Sequence, residues 1–91
     1  MLSRTDRPSA EDVLGVVRAA VATVLEVDPA GIDRATAFGD LKADSLALVE
    51  LAEIVEERLA PFAPAPFRIP DADLEALVTV GEAVDYALAR L

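Results

Sequence analysis

Apolar residues recur every three or four positions in three stretches of the chain, a spacing that predicts helices. In the first stretch Val13, Val17, Ala20, Val21, Val24 and Leu25 share one face. Ser9 is placed to cap its start, with Glu11 and Asp12 complementing the positive end of the helix. Gly15 weakens the early part slightly. The sequence Val27-Asp28-Pro29-Ala30-Gly31 ends this helix and opens a loop. In the second stretch Leu48, Leu51, Ala52, Val55 and Leu59 fall in one sector of a helical wheel. That helix starts at Asp44 or Ser45 and stops before Pro61, because Pro61, Pro64 and Pro66 forbid regular helix through Phe67. In the third stretch Val80, Val84, Ala87, Leu88 and Leu91 form the stripe, and Thr79-Val80-Gly81-Glu82 reads as a capping box. A short helix from Asp71, with Asp71 as its cap, to about Leu77 fits between the second and third stretches.

The reading is therefore all-α, with four helices, a long loop over about residues 28–44 and a short third helix. A loop of that length in a compact domain is either functional or pinned by its own side chains. Ile32 and Phe38 are the expected pins. Residues 9–91 form one domain, preceded by a flexible N-terminus over residues 1–8.

The second helix carries a further apolar feature outside its core stripe. Leu46 and Val49 lie on the Ser45 side, among the carboxylates of Glu50, Glu53, Glu56 and Glu57, which are expected to stay hydrated. Single exposed apolar residues are ordinary on protein surfaces. Two such residues within a turn of one serine, ringed by acid, instead suggest a docking surface. Ser45 lies at a helix N-terminus, where backbone N–H groups and the dipole favour a phosphate, although Asp44 beside it would repel a free anion. On physical grounds alone Ser45 reads as a helix cap.

Composition narrows the possible chemistry. The formal net charge of −9 disfavours nucleic acid and anionic membranes as partners and favours basic protein surfaces. The chain contains no Cys and no His. Disulfides, Cys/His zinc sites and Ser-His-Asp or Cys-His catalysis are thus excluded. An enzyme without these residues keeps few catalytic options, and the reading is a cytoplasmic protein with no secretory signal and no membrane span.

The stretch Phe38-Gly39-Asp40-Leu41-Lys42-Ala43-Asp44-Ser45-Leu46 resembles the signature of the acyl carrier protein family, in which Asp-Ser-Leu follows a short loop. The likeness continues through Val49-Glu50-Leu51 and the acidic run to Leu59. It resumes at Ile69-Pro70-Asp71 and closes with Thr79-Val80-Gly81-Glu82-Ala83-Val84-Asp85-Tyr86. The resemblance implies a four-helix bundle of acyl-carrier type. It implies that Ser45, flanked by Asp44 and Leu46, receives 4′-phosphopantetheine from coenzyme A through a phosphopantetheinyl transferase, which makes the chain a phosphoprotein. It further implies that Leu46, Val49, Glu50, Glu53, Glu56 and Glu57 face partner enzymes, among them a ketosynthase and an acyltransferase. The cargo would be an acyl chain held as a thioester, and the working thiol would come from the prosthetic group.

Three departures from the family pattern stand out. Lys42 occupies a position usually held by Gly and could pair with Asp40 or Asp44. Ala47 replaces an acidic residue common in fatty-acid carriers, so the run Ser45-Leu46-Ala47-Leu48 looks more like carriers of polyketide pathways. The connection from Leu59 to Ile69 is long, and reads either as a tolerated surface insertion or as an added partner contact through Phe62 or Phe67. An aminoacyl or peptidyl carrier is the alternative cargo class, although the acidic second helix argues against it. An acidic helical adaptor, with Ser45 only a cap, is the alternative outside the carriers. Asp71, Asp73, Glu75 and Glu82 fall at calcium-loop positions, but Ala76 stands where such a loop needs Gly.

Overall fold

The computed structural model describes residues 7–91. Four helices follow in order: α1 over Ala10–Leu25, α2 over Ser45–Leu59, α3 over Asp71–Ala76 and α4 over Val80–Leu88. Single 3-10 turns lie over Pro29–Gly31 and Ala60–Phe62. Of the expected flexible N-terminus, residues 1–6 lie outside the described part, while Pro8 is buried.

Three of the four helices start where a side chain supplies a partner for the free N–H groups. Ser9 Oγ accepts from the Asp12 amide at 3.1 Å and Asp12 Oδ2 accepts from the Ser9 amide at 2.9 Å. This reciprocal pair is a capping box with Asp in place of the usual Glu. The Ser9 amide, with the Ser9 hydroxyl second, holds the Asp12 carboxyl below its ordinary pKa. At α4, Thr79 Oγ1 accepts from the Glu82 amide at 3.2 Å, but Glu82 reaches back to the Val78 amide, not to that of Thr79. The expected box is thus displaced by one residue. α3 has Pro70 at its cap position and no side-chain cap, with Asp71 as its first helical residue. The expected Asp71 cap is therefore corrected: Pro70 fixes the entry backbone, and the Asp71 carboxylate complements the helix dipole from the first turn.

The core joins three of the helices. Val13, Val17, Ala20 and Val21 of α1 meet Leu51, Val55 and Leu59 of α2 and Val80, Val84 and Ala87 of α4. α1 packs against both α2 and α4, whereas α3 lies on α2 and reaches α4 through the Tyr86–Asp73 side-chain bond. Ile32 and Phe38 insert from the long loop as expected. Phe67 is also buried, so the Pro-rich connection is pinned to the core by its last aromatic residue and Phe67 offers no partner surface.

The long loop is held at both ends. Arg18 Nε donates to the Ile32 carbonyl at 2.9 Å. Further along, the Phe38 amide donates to Val78 O at 3.0 Å, Val80 to Thr36 O at 2.9 Å and Gly81 to Arg34 O at 2.9 Å. These bonds lace the loop to the start of α4. Gly81 is required for that approach, because a Cβ there would lie 2.9 Å from the Arg34 carbonyl oxygen.

Candidate functional site at the start of the second helix

The loop reaches α2 by winding around one buried anchor. Phe38 sits in the core, and its carbonyl accepts from the amides of both Leu41 and Ala43 at 3.1 Å. The turn requires a left-handed residue, and Lys42 supplies it at φ 59. One residue past Ala43 the backbone is extended, at φ −80 and ψ 179 for Asp44, and α2 begins.

Asp44, not Ser45, caps this helix. Asp44 Oδ1 accepts from the Ala47 amide at 2.8 Å. Ser45 is the first helical residue and is exposed. Its hydroxyl therefore stands outside the capping arrangement. The remaining N–H groups of the first turn have no intrahelical acceptor, which favours phosphate on a group attached here. The chain holds no imidazole or thiol to activate the hydroxyl, and one oxygen of the neighbouring carboxylate is held in the cap. The arrangement presents an exposed hydroxyl that takes no part in the cap.

The flanking residues divide as the helical wheel suggests, with one exception. Leu46 is 67% exposed and Val49 38%. Glu50, Glu53 and Glu57 are exposed around them. Glu56 departs from its expected hydrated position: its side chain is only 15% exposed. One carboxylate oxygen accepts from the Ile69 amide at 2.7 Å, and the other lies 3.7 Å from Arg68. It anchors the returning Pro-rich connection, and that backbone bond takes the place of water.

Two concavities border α2. A groove of about 150 Å³ lies between Ser45, Leu48 and Val49 of α2 and Asp71, Leu74 and Glu75 of α3. A wider one of about 390 Å³ lies against Glu53, Glu57 and Ala60 and is closed by Pro66 and Arg68. Ser45 lines the first of these at the start of α2.

Residues 15–87 match the family described as the phosphopantetheine attachment site. The chain belongs to the phosphopantetheine-binding carrier family. The prosthetic group of this carrier is covalently attached 4′-phosphopantetheine, and an exposed serine at a helix start fits it. A relative named acyl carrier protein, from Rubrobacter xylanophilus, is 38% identical over 79 residues, covering 86% of this chain and 90% of its own length. Among the described residues of the carrier, no helix is long and apolar enough to cross a membrane.

Sequence reasoning expected Leu46 and Val49 exposed beside Ser45, where the structure places them, but missed the inward turn of Glu56. Its only signal was indirect: Glu56 lies between the core residues Val55 and Leu59, on the edge of the stripe. The groove between α2 and α3 had no signal in the sequence, because it depends on where a six-residue helix comes to rest.

Proposed function

We propose that the protein is an acyl carrier whose Ser45 hydroxyl is the attachment point of 4′-phosphopantetheine, and that it presents acyl intermediates to partner enzymes without catalysing their chemistry. The observation that carries this reading is the division of labour at the start of α2. Asp44 provides the cap, leaving Ser45 exposed and uncommitted. Once attached, the arm supplies a terminal thiol that holds the cargo as a thioester.

The residues of the chain provide placement and recognition. The first turn of α2 offers N–H groups to the phosphodiester. Leu46 and Val49 form an apolar contact beside the attachment point, and Glu50, Glu53 and Glu57 surround it with negative charge. Such a surface suits basic docking faces on a phosphopantetheinyl transferase, a ketosynthase and an acyltransferase, and it speeds encounter through long-range attraction. Glu56 supports the face from behind by holding the connection to α3. The run Ser45-Leu46-Ala47-Leu48 favours a polyketide cargo, and the carrier works as a cytoplasmic monomer.

Mass spectrometry after incubation with coenzyme A and a phosphopantetheinyl transferase tests the reading. The wild type should gain one phosphopantetheine and Ser45→Ala none. An unmodified wild type, or equal labelling of the variant, would overturn it. Loading the modified chain with malonyl or aminoacyl donors then decides the cargo class.

A further inference from the structure

Lys42 is the only basic residue between Arg34 and Arg58, in a stretch that also holds Asp40, Asp44, Glu50, Glu53, Glu56 and Glu57. It is exposed and stands at φ 59. In that left-handed conformation a side chain crowds the neighbouring carbonyl, and glycine is the least costly occupant. The bond from the Lys42 amide to Gly39 O at 3.1 Å holds the residue in this turn.

The cation is not committed elsewhere. Ion pairs among the described residues join Arg34 to Asp85, Arg68 to Glu56 and Arg90 to Asp73, and Lys42 takes part in none of them. Asp44 turns one carboxylate oxygen to the Ala47 amide and makes no ion pair with Lys42. A costly backbone position therefore carries a free ammonium three residues before Ser45. That length of chain spans at most about 11 Å, and the lysine stem can cover much of it.

Coenzyme A must bring phosphate to a surface dominated by carboxylates, each of which repels it. A compact ammonium with three donors is suited to phosphate oxygens. We propose that Lys42 is a phosphate-binding residue for the transfer to Ser45. Its ammonium pairs with the non-bridging oxygens of the transferred phosphoryl group and remains paired with the resulting phosphodiester. The inference rests on Ser45 being the attachment point. In the transfer, Ser45 Oγ forms a bond to the phosphorus that bears the pantetheine. The bond from that phosphorus to the bridging oxygen of the pyrophosphate breaks, and adenosine 3′,5′-bisphosphate leaves with that oxygen. The serine proton passes to a base on the transferase. Lys42 keeps its protons and offsets the charge on the phosphoryl oxygens.

The test compares the wild type with Lys42→Arg, Lys42→Gln, Lys42→Gly and Glu26→Gly. Glu26 is the control, because it also has a positive φ, of 55, but ends α1. Initial rates are measured with one transferase at low ionic strength, with the carrier saturating and coenzyme A varied. Lys42→Gln and Lys42→Gly should lower kcat/KM for coenzyme A about tenfold, as expected for loss of one charged hydrogen bond. Lys42→Arg should stay close to the wild type, Glu26→Gly should be unchanged, and added salt should narrow the differences. In the modified chains, the ³¹P resonance of the phosphodiester should shift for Lys42→Gln and not for Glu26→Gly. Melting curves check folding, and Lys42→Gly should keep or raise the wild-type Tm.

Wild-type rates for Lys42→Gln would overturn the inference. So would a deficit seen only at limiting carrier, which would place Lys42 against the transferase surface, or an unmoved phosphorus resonance. Failure of the wild type itself to be modified would overturn the attachment reading, and this inference with it.

Discussion

Tyr86 of α4 donates its hydroxyl to Asp73 Oδ2 of α3 at 2.6 Å, while the Arg90 guanidinium lies 3.5 Å from the centre of the tyrosine ring and 3.8 Å from the same carboxylate oxygen. α3 has few other restraints. It is six residues long, lacks a side-chain cap and buries only Leu74. The contact between these residues therefore fixes α3, one wall of the groove that Ser45 helps to line.

Tyr86→Phe should remove this tie and cost about 1 kcal/mol of stability, the usual net value of one hydrogen bond. Amide exchange in α3 should rise more than in α1. Burial, with the bond to Asp73 second, raises the tyrosine pKa above its ordinary 10.0. The folded chain thus keeps the phenolic proton at pH values where the unfolded chain has released it. The associated stability is complete below pH 10 and is lost as pH rises through the raised value. Denaturant titrations from pH 8 to 11 should show a shallower alkaline decline for Tyr86→Phe.

The cap assignment separates two neighbouring residues. Asp44→Ala should destabilise the domain by about 1 kcal/mol, because the Ala47 amide loses its acceptor. Ser45→Ala should change stability by less than about 0.5 kcal/mol, since its hydroxyl is outside the cap. Thermal melts of both unmodified variants check this. A larger loss for Ser45→Ala than for Asp44→Ala would contradict the geometry.

Two glycine-to-alanine changes should act in opposite directions. Gly15 is exposed within α1 and has nothing within 4 Å of an added Cβ, so Gly15→Ala should gain about 0.5–1 kcal/mol. Gly81→Ala drives its Cβ against the Arg34 backbone and should lose about 1–3 kcal/mol. Its loop amides, Phe38 included, should exchange faster as the lacing to α4 opens. Urea unfolding of the two variants measures the contrast.

Among the glutamates of α2, charge reversal should sort docking from scaffolding. Glu53→Lys should slow association with a basic transferase, and salt should slow the wild type in the same way. Glu56→Ala should instead destabilise the chain by about 1–3 kcal/mol, because the Ile69 amide is left without its partner. Stopped-flow association paired with melting curves distinguishes the two. Rates for Glu53→Lys equal to wild type at low salt would argue against the acidic docking face.

The helical spacing was enough to place Val13, Val17 and Val21, and Leu51, Val55 and Leu59, in the core, because each stripe follows from local geometry alone. Pro61 likewise marked the end of α2 by removing a backbone donor. The choice between Asp44 and Ser45 as cap was not legible, since both are good capping residues and the winner depends on how the turn at Lys42 delivers the chain. Glu56 turned inward for a non-local reason: Ile69 returns to it from beyond the Pro-rich connection. The length of the connection from Leu59 to Ile69 suggested a partner contact through Phe62 or Phe67, yet Phe67 is buried in the core.

The lacing of the long loop has a consequence in time. Phe38 shapes the approach to Ser45, but its own amide is satisfied by Val78, and its neighbours Thr36 and Arg34 wait for Val80 and Gly81. During synthesis, the serine emerges well before the residues that complete its setting. The approach to Ser45 therefore takes its final shape only once α4 has docked, so the first half of the chain cannot set its own candidate site.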